Sequence, residues 1–185
     1  WTASGVEFCF HGKAVGMEFS VDYDIYAPWI SVFLDAVCLI RMPLNRGKQK
    51  VIFCENMADD MPHRIPIIKD VQAMHDDPGH SLSMDGVLLD GVLNDPPCYK
   101  YKLEFVGDSI TSAEGAIGAQ REMDWLPAYF CPANSYPLMV ADAMQADYRV
   151  ISQSGWGVYK SWDGKRNCAI PEYYSQVYGL LTQVQ

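Results

Sequence analysis

The sequence predicts a multidomain β plus α/β chain: an N-terminal antiparallel β-sandwich followed by the first part of a parallel α/β domain. Three observations carry that prediction. The first hundred residues read as short strand-forming runs separated by turn signals. The pattern then changes at the pair Pro96 and Pro97. Beyond it the order becomes strand, loop, helix, strand, the pattern of a parallel unit, because parallel neighbours need a crossover between them.

In the first part, GVEFCFH, AVGMEFSVD, WISVFLDAVCLIRM and QKVIFC are rich in β-branched and aromatic residues. They are separated by Gly12-Lys13, by Asp24 to Pro28 and by Asn45 to Gly47, which read as turns. Val6, Phe8 and Phe10 alternate with Glu7, Cys9 and His11, giving one apolar and one mixed face, as a half-buried strand requires. HRIPIIKD and SLSMDGVLLDGVL are further strands, with the polar AMHDDPGH as the loop between them. The boundary falls near Asp95 to Lys102, giving domains at 1–98 and 99–185. Beyond it KLEFVG is a strand, SYPLMVADAMQA a helix capped by Asn134 or Ser135, and YRVISQSG a second strand.

Composition narrows the function classes. The formal net charge of -9 argues against nucleic acid or an anionic membrane surface as partner and suits a neutral ligand. No apolar run approaches the roughly 18 to 20 residues of a membrane-spanning helix, and no leader opens the chain, so it reads as soluble. The compartment, secreted or cytoplasmic, stays open. The six cysteines, Cys9, Cys38, Cys54, Cys98, Cys131 and Cys168, lack CxxC spacing and metal-ligand intervals to histidine, so no metal site is expected. Cys9, Cys38 and Cys54 lie in strand-like runs, where a reduced thiol behaves as a small buried hydrophobe; a disulfide framework is the alternative.

The chemistry concentrates in KLEFVGDSITSAEG, residues 102 to 115. In a parallel α/β domain, ligands bind beyond the carboxyl ends of the strands, where Ser109 sits. A serine hydroxyl needs a base and donors for a developing oxyanion before it attacks an ester. The Ser109 N–H is one such donor. Gly155, in SQSGWG after the second strand, offers another without side-chain obstruction. The competing reading makes Asp108 or Ser109 a helix cap and Gly155 a turn glycine. A phosphate cradle is disfavoured, because neither GxGxxG nor GK[ST] occurs.

GDSI after one strand and SGWG after the next resemble the first two blocks of the SGNH, or GDSL-like, hydrolases. More narrowly, the chain resembles carbohydrate esterase family 2, whose members join an N-terminal jelly roll to a flavodoxin-like SGNH hydrolase domain. WTASGVEFCFHGKAVGMEF, HRIPIIKD, LEFVGDSIT, NSYPLMVADAMQADYRVISQSGWGV and IPEYYSQVY carry the likeness in order. The resemblance implies Ser109 as nucleophile toward an acetyl ester, an oxyanion hole of the Ser109 and Gly155 N–H groups, and Asp108 as a brace of the loop. It implies no cofactor. Where the family continues with Cys, Gly and an aromatic residue, this chain has Ser112, Ala113 and Glu114. Trp156, Tyr159 and Trp162 are candidate substrate contacts, with packing into a domain interface as the alternative.

Two parts of the pattern are absent after Ser109: the asparagine of a later GxND segment and the histidine of a DxxH segment near the C-terminus. The histidines, His11, His63, His75 and His80, all precede the serine and are expected in loops or on the surface. Asn167 lacks the GxND context. A two-stranded parallel sheet would also be a short domain against the usual ~100 to 150 residues. The expectation is therefore a serine esterase that removes O-acetyl groups from carbohydrate such as acetylated xylan. Its base would lie in the remaining part of the hydrolase domain, outside this chain, and the chain alone would be inactive. The rival readings are a non-catalytic carbohydrate-binding module and another SGNH esterase acting on lipid or sialate.

Overall fold

The computed structural model describes residues 1–58, 61–73, 76–121 and 124–176. His75 and the end of IPEYYSQVY lie outside the described residues. The chain divides into two compact units. The β unit comprises Gly5–Lys69 and Gly79–Cys98; the α/β unit comprises Trp1–Ser4, Asp70–Pro78 and the chain from Tyr99 onward. Trp1–Ser4 and Asp70–Pro78 thus join the second unit, although the sequence expectation groups them with the first.

The β unit is the jelly-roll part of the predicted class. Its strands are β1 (Gly5–Asp22), β2 (Trp29–Leu34), β3 (Val37–Pro43), β4 (Gly47–Cys54), β5 (His63–Lys69) and β6 (Ser81–Asn94). They are ordered β3-β2-β5-β1-β4, with β6 also paired to β1. Every ladder is antiparallel. β1 serves three neighbours: Gly5 to Phe10 pair with β5, Val15 to Val21 with β4, and Cys9 to Asp22 with β6.

The two strands expected on either side of Gly12-Lys13 are one strand. Gly12 faces Gly91 and Ala14 faces Asp90, so Lys13 is the extra residue of a bulge. The insertion reverses the alternation. Phe8 and Phe10 point into the core before it, and Val15, Met17, Phe19 and Val21 after it. Glycine is needed there for close approach: a Cβ on Gly91 would lie 2.0 Å from the His11 carbonyl oxygen. The core behind this face contains the fully buried Phe10, Phe19, Ile30, Ile65 and Ile67.

The run WISVFLDAVCLIRM is a hairpin rather than one strand. Asp35 and Ala36, at φ 48° and 74°, form its two-residue turn, where both positions are left-handed. Neither residue is glycine, which hides the turn in the sequence. Asp35 is fixed from outside: its N–H donates to the Arg64 carbonyl at 3.0 Å, and its carboxylate accepts from the Arg64 N–H at 2.9 Å and meets His63 Nδ1 at 2.7 Å. Partial burial alone would raise the Asp35 pKa, but these bonds outweigh it and lower it.

The cysteine and histidine expectations need correction. All six thiols are free, but Cys38 is exposed and Cys9 and Cys54 are half-buried, whereas Cys131 and Cys168 are the buried ones. Cys38 lies on β3, which pairs only with β2 among the described residues and so forms an edge of the sheet. His80 lies in the loop before β6, as expected, but is buried there, 1% exposed, with Nδ1 2.9 Å from the Tyr26 carbonyl oxygen. His63 lies within β5, its ring against Phe10 at 5.7 Å.

The α/β unit pairs β7 (Tyr101–Gly107) with β8 (Ala146–Ser152) in parallel. The crossover contains α1 (Tyr136–Ala143), shorter than the predicted helix. Ser135 occupies the N-cap position, yet its hydroxyl donates to the Pro132 carbonyl at 2.7 Å instead of capping a helix N–H. Gln145, at φ 50°, ends the helix in the left-handed region. A short helix, α2 (Ile170–Tyr173), follows β8. The core of this unit joins Trp1, Ala73, Ile151, Trp156, Cys168 and Ile170.

Candidate active site

The in-register pairing of β7 and β8 sets Gly107 opposite Ser152, so the loops carrying Ser109 and Gly155 leave the same edge of the strand pair. The first loop folds back at once. A Cβ on Gly107 would lie 2.0 Å from Thr111 Oγ1, so only glycine admits this turn. Asp108 accepts the Ile110 N–H on its carboxylate at 3.1 Å and the Ser112 N–H on its carbonyl at 2.9 Å. The Ser109 carbonyl accepts from the Glu114 N–H at 3.0 Å. Among the described residues, the Ser109 hydroxyl and N–H have no hydrogen-bond partner.

The departures from the family pattern have local explanations. Ala113 sits at φ 62°, a left-handed position that glycine occupies without strain. Ser112 is fully buried and donates to Ser152 Oγ at 2.8 Å, tying the loop to the end of β8. Thr111 Oγ1 and the Tyr136 hydroxyl are 2.9 Å apart, which ties the same loop to α1. Glu114 faces a cavity of about 230 Å³ that is also lined by Ser109, Ile110, Asp124, Leu126 and Tyr129. The wall that the sequence left undefined is therefore partly acidic and partly aromatic.

The second loop is held just as closely. The Gln153 N–H donates to the Gly107 carbonyl at 3.3 Å, the Ser154 N–H to Gln72 Oε1 at 2.9 Å, and the Trp156 N–H to the Gln153 carbonyl at 3.1 Å. The Gly155 carbonyl accepts from the Trp162 N–H at 2.8 Å. In the run from Gln153 to Trp156, the Gly155 N–H is the one left undonated among the described residues. Gly155 has φ 76°, and a Cβ there would lie 2.6 Å from Trp162 Cδ1. The backbone conformation selects glycine at this position.

The three aromatic candidates separate. Trp156 is 6% exposed, and its ring packs 4.8 Å from that of Tyr173 in the core, so it offers no free face to a ligand. It follows β8 into the apolar centre of the unit. Tyr159 is exposed, with the Arg166 guanidinium 4.9 Å from its ring centre. Trp162 is 87% exposed and rides on a tight loop. In that loop Ser161 bonds to the Asp163 carboxylate, and Lys165 Nζ is 2.9 Å from Asp163. The Lys165 bond, then that of Ser161, holds the Asp163 carboxyl at about 2.

His11, His63 and His80 belong to the β unit, and among the described residues no histidine or asparagine lines the cavity beside Ser109. Asn167 is exposed; its carbonyl accepts from the Tyr173 hydroxyl at 2.7 Å. Among the described residues no group of three or more His, Cys, Asp or Glu side chains converges as a metal site. Sequence reasoning missed Gln72, Gln153 and the Ser112–Ser152 pair. Their partners lie far away in the chain, so no local spacing announces them.

No family model matches the chain. It is 25% identical over 180 residues to the cellulase/esterase CelE of Acetivibrio thermocellus, covering 94% of this chain and 21% of that protein. It is 25% identical over 157 residues to an acetylxylan esterase / glucomannan deacetylase of Cellvibrio japonicus, covering 82% and 41% respectively. Among solved structures, an acetyl xylan esterase from the rumen bacterium Butyrivibrio proteoclasticus superposes with a TM-score of 0.90 at 36% identity, covering 95% of this chain and 47% of that one. The chain thus spans less than half the length of each of these proteins.

Proposed function

We propose that this chain, recognised in sequence and in fold as a relative of carbohydrate esterase family 2, supplies the nucleophile and two oxyanion donors of a serine O-acetylesterase acting on acetylated carbohydrate. The observation that carries the reading is the pair of loops at one strand edge. Each is held by the bonds of its neighbours, and the backbone N–H groups of Ser109 and Gly155 both stand without an acceptor among the described residues. Donors held in advance are the requirement for stabilising an oxyanion, since no reorganisation is then needed as charge develops.

In this reading a histidine base on polypeptide outside the chain takes the proton of Ser109 Oγ, which attacks the acetyl carbonyl carbon. The C=O pair moves onto oxygen and is met by the two N–H groups. Collapse breaks the bond to the sugar oxygen, which leaves with the proton from the base. Water, activated by the same base, then attacks acetyl-Ser109, releasing acetate and restoring the hydroxyl. Asp108 holds the turn that aims Ser109. Trp162 and Tyr159 are the candidate surfaces for a sugar ring, and the named activities of the relatives support xylan or a related polysaccharide as substrate.

The test is deacetylation of acetylated xylo-oligosaccharide and of a short acyl lipid by the complete protein, with and without Ser109→Ala. Loss to background on the carbohydrate, with the lipid a poor substrate, is expected. Unchanged deacetylation after Ser109→Ala would leave a binding module as the better reading.

A further inference from the structure

The N–H of Gly155 is fixed from a segment that carries none of the proposed catalytic groups. Asp70–Pro78, which lies in the chain between β5 and β6, is part of the α/β unit. Within it Gln72 has no exposed surface, and its side-chain carbonyl accepts the Ser154 N–H at 2.9 Å. The bond is answered: buried Gln153 donates its side-chain amide to the Ala73 carbonyl at 2.9 Å. Two adjacent residues of one segment thus hold the two residues that immediately precede Gly155. The Gly107 carbonyl takes the Gln153 N–H from the other side.

We infer that Gln72 and Gln153 are positioning residues for the Gly155 N–H, acting as a reciprocal amide clamp on the oxyanion loop; this rests on the esterase reading. The chemistry explains the choice of glutamine. A neutral amide can donate and accept inside a site without adding charge to it, whereas a buried carboxylate there would oppose the charge of the developing oxyanion. An apolar side chain of the same size would fill the space and leave the Ser154 N–H without a partner. The loop would then relax, and a donor displaced by a fraction of an ångström loses much of its effect.

The experiment uses the complete protein, with active sites counted by covalent titration with a phosphonate ester. Gln72→Met is expected to lower kcat per active site on an aryl acetate about tenfold, with KM changed less than about twofold, because the interaction strengthens only in the transition state. The Ki of an alkylboronic acid is expected to rise by the same factor. That probe forms an Oγ–B bond on Ser109 as the hydroxyl proton passes to the base, placing a boron-bound oxygen where the oxyanion develops. Should Gln72→Met not fold, Gln153→Met is expected to give the same split. Unchanged kcat and Ki per active site, with only a lower unfolding midpoint, would overturn the inference and leave a structural brace. A rise in KM alone would also overturn it. Failure of the boronic acid to attach to Ser109 in the unsubstituted protein would instead sink the esterase reading, so the two failures are distinguishable.

Discussion

Ser112 and Ser152 meet hydroxyl to hydroxyl at 2.8 Å, each fully buried, joining the loop after β7 to the last residue of β8. No backbone ladder can make that connection, because Ser112 has left the strand. The two side chains therefore carry part of the geometry that brings the Ser109 and Gly155 loops to one edge.

Removing one of these hydroxyls strands the other. Ser112→Ala is expected to destabilise the protein by about 1 to 2 kcal/mol, since a buried polar group left unpaired costs more than the bond contributed. The double variant Ser112→Ala with Ser152→Ala is expected to cost less than the sum of the two single changes. Urea unfolding of the four proteins measures the difference.

The two loop glycines are expected to differ in tolerance. At Gly107 the obstacle to a Cβ is Thr111, whose Oγ1 would lie 2.0 Å away on a loop tied to Tyr136. At Gly155 the obstacle is Trp162, an exposed ring that can swing aside, leaving the left-handed backbone strain of roughly 1 to 2 kcal/mol. Gly107→Ala should therefore lower the unfolding midpoint more than Gly155→Ala. Gly155→Ala should shift the emission of Trp162, which Gly107→Ala leaves in place.

Lys69 introduces a pH dependence. Burial pushes its ammonium down to about 8 from the ordinary 10.5. Between those values the unfolded chain binds more protons than the folded one, so stability rises with pH across this window; below about 8 the full penalty applies. That penalty is of the order of 3 kcal/mol. Lys69→Met is expected to stabilise the protein by at least about 1 kcal/mol at neutral pH, with the gain shrinking toward pH 10. Unfolding of both proteins across that range checks the sign.

Trp162 separates sugar binding from chemistry. With the ring gone, Trp162→Ala is expected to raise KM for an acetylated oligosaccharide about five- to tenfold, near 1 kcal/mol, while kcat on a small aryl acetate stays within about twofold. Kinetics of the complete protein on the two substrates provide the comparison.

Much of this arrangement was legible in the chain, because β7 and β8 announce themselves by apolar runs and both site loops begin at the ends of those runs. The hairpin at Asp35-Ala36 was not, since its left-handed turn contains no glycine and depends on bonds to Arg64 and His63, 28 or more positions away. The bulge at Lys13 was equally hidden: Gly12 suggests a turn, and only its pairing with Gly91 shows a strand that continues with its faces exchanged. Trp156 and Trp162 look alike on paper, yet one follows β8 into the core and the other rides an exposed turn. Gln72 carries no local signal, because its meaning lies in Ser154, 82 positions later.

The most direct test of the central claim is to trap the acyl-enzyme. The complete protein would be mixed with an acetyl ester, quenched in acid during turnover, digested and read by peptide mass. Acetylation of the peptide containing Ser109, absent after Ser109→Ala together with deacetylation, is the expected result. An acetyl group carried elsewhere, or deacetylation undiminished by Ser109→Ala, would contradict the account.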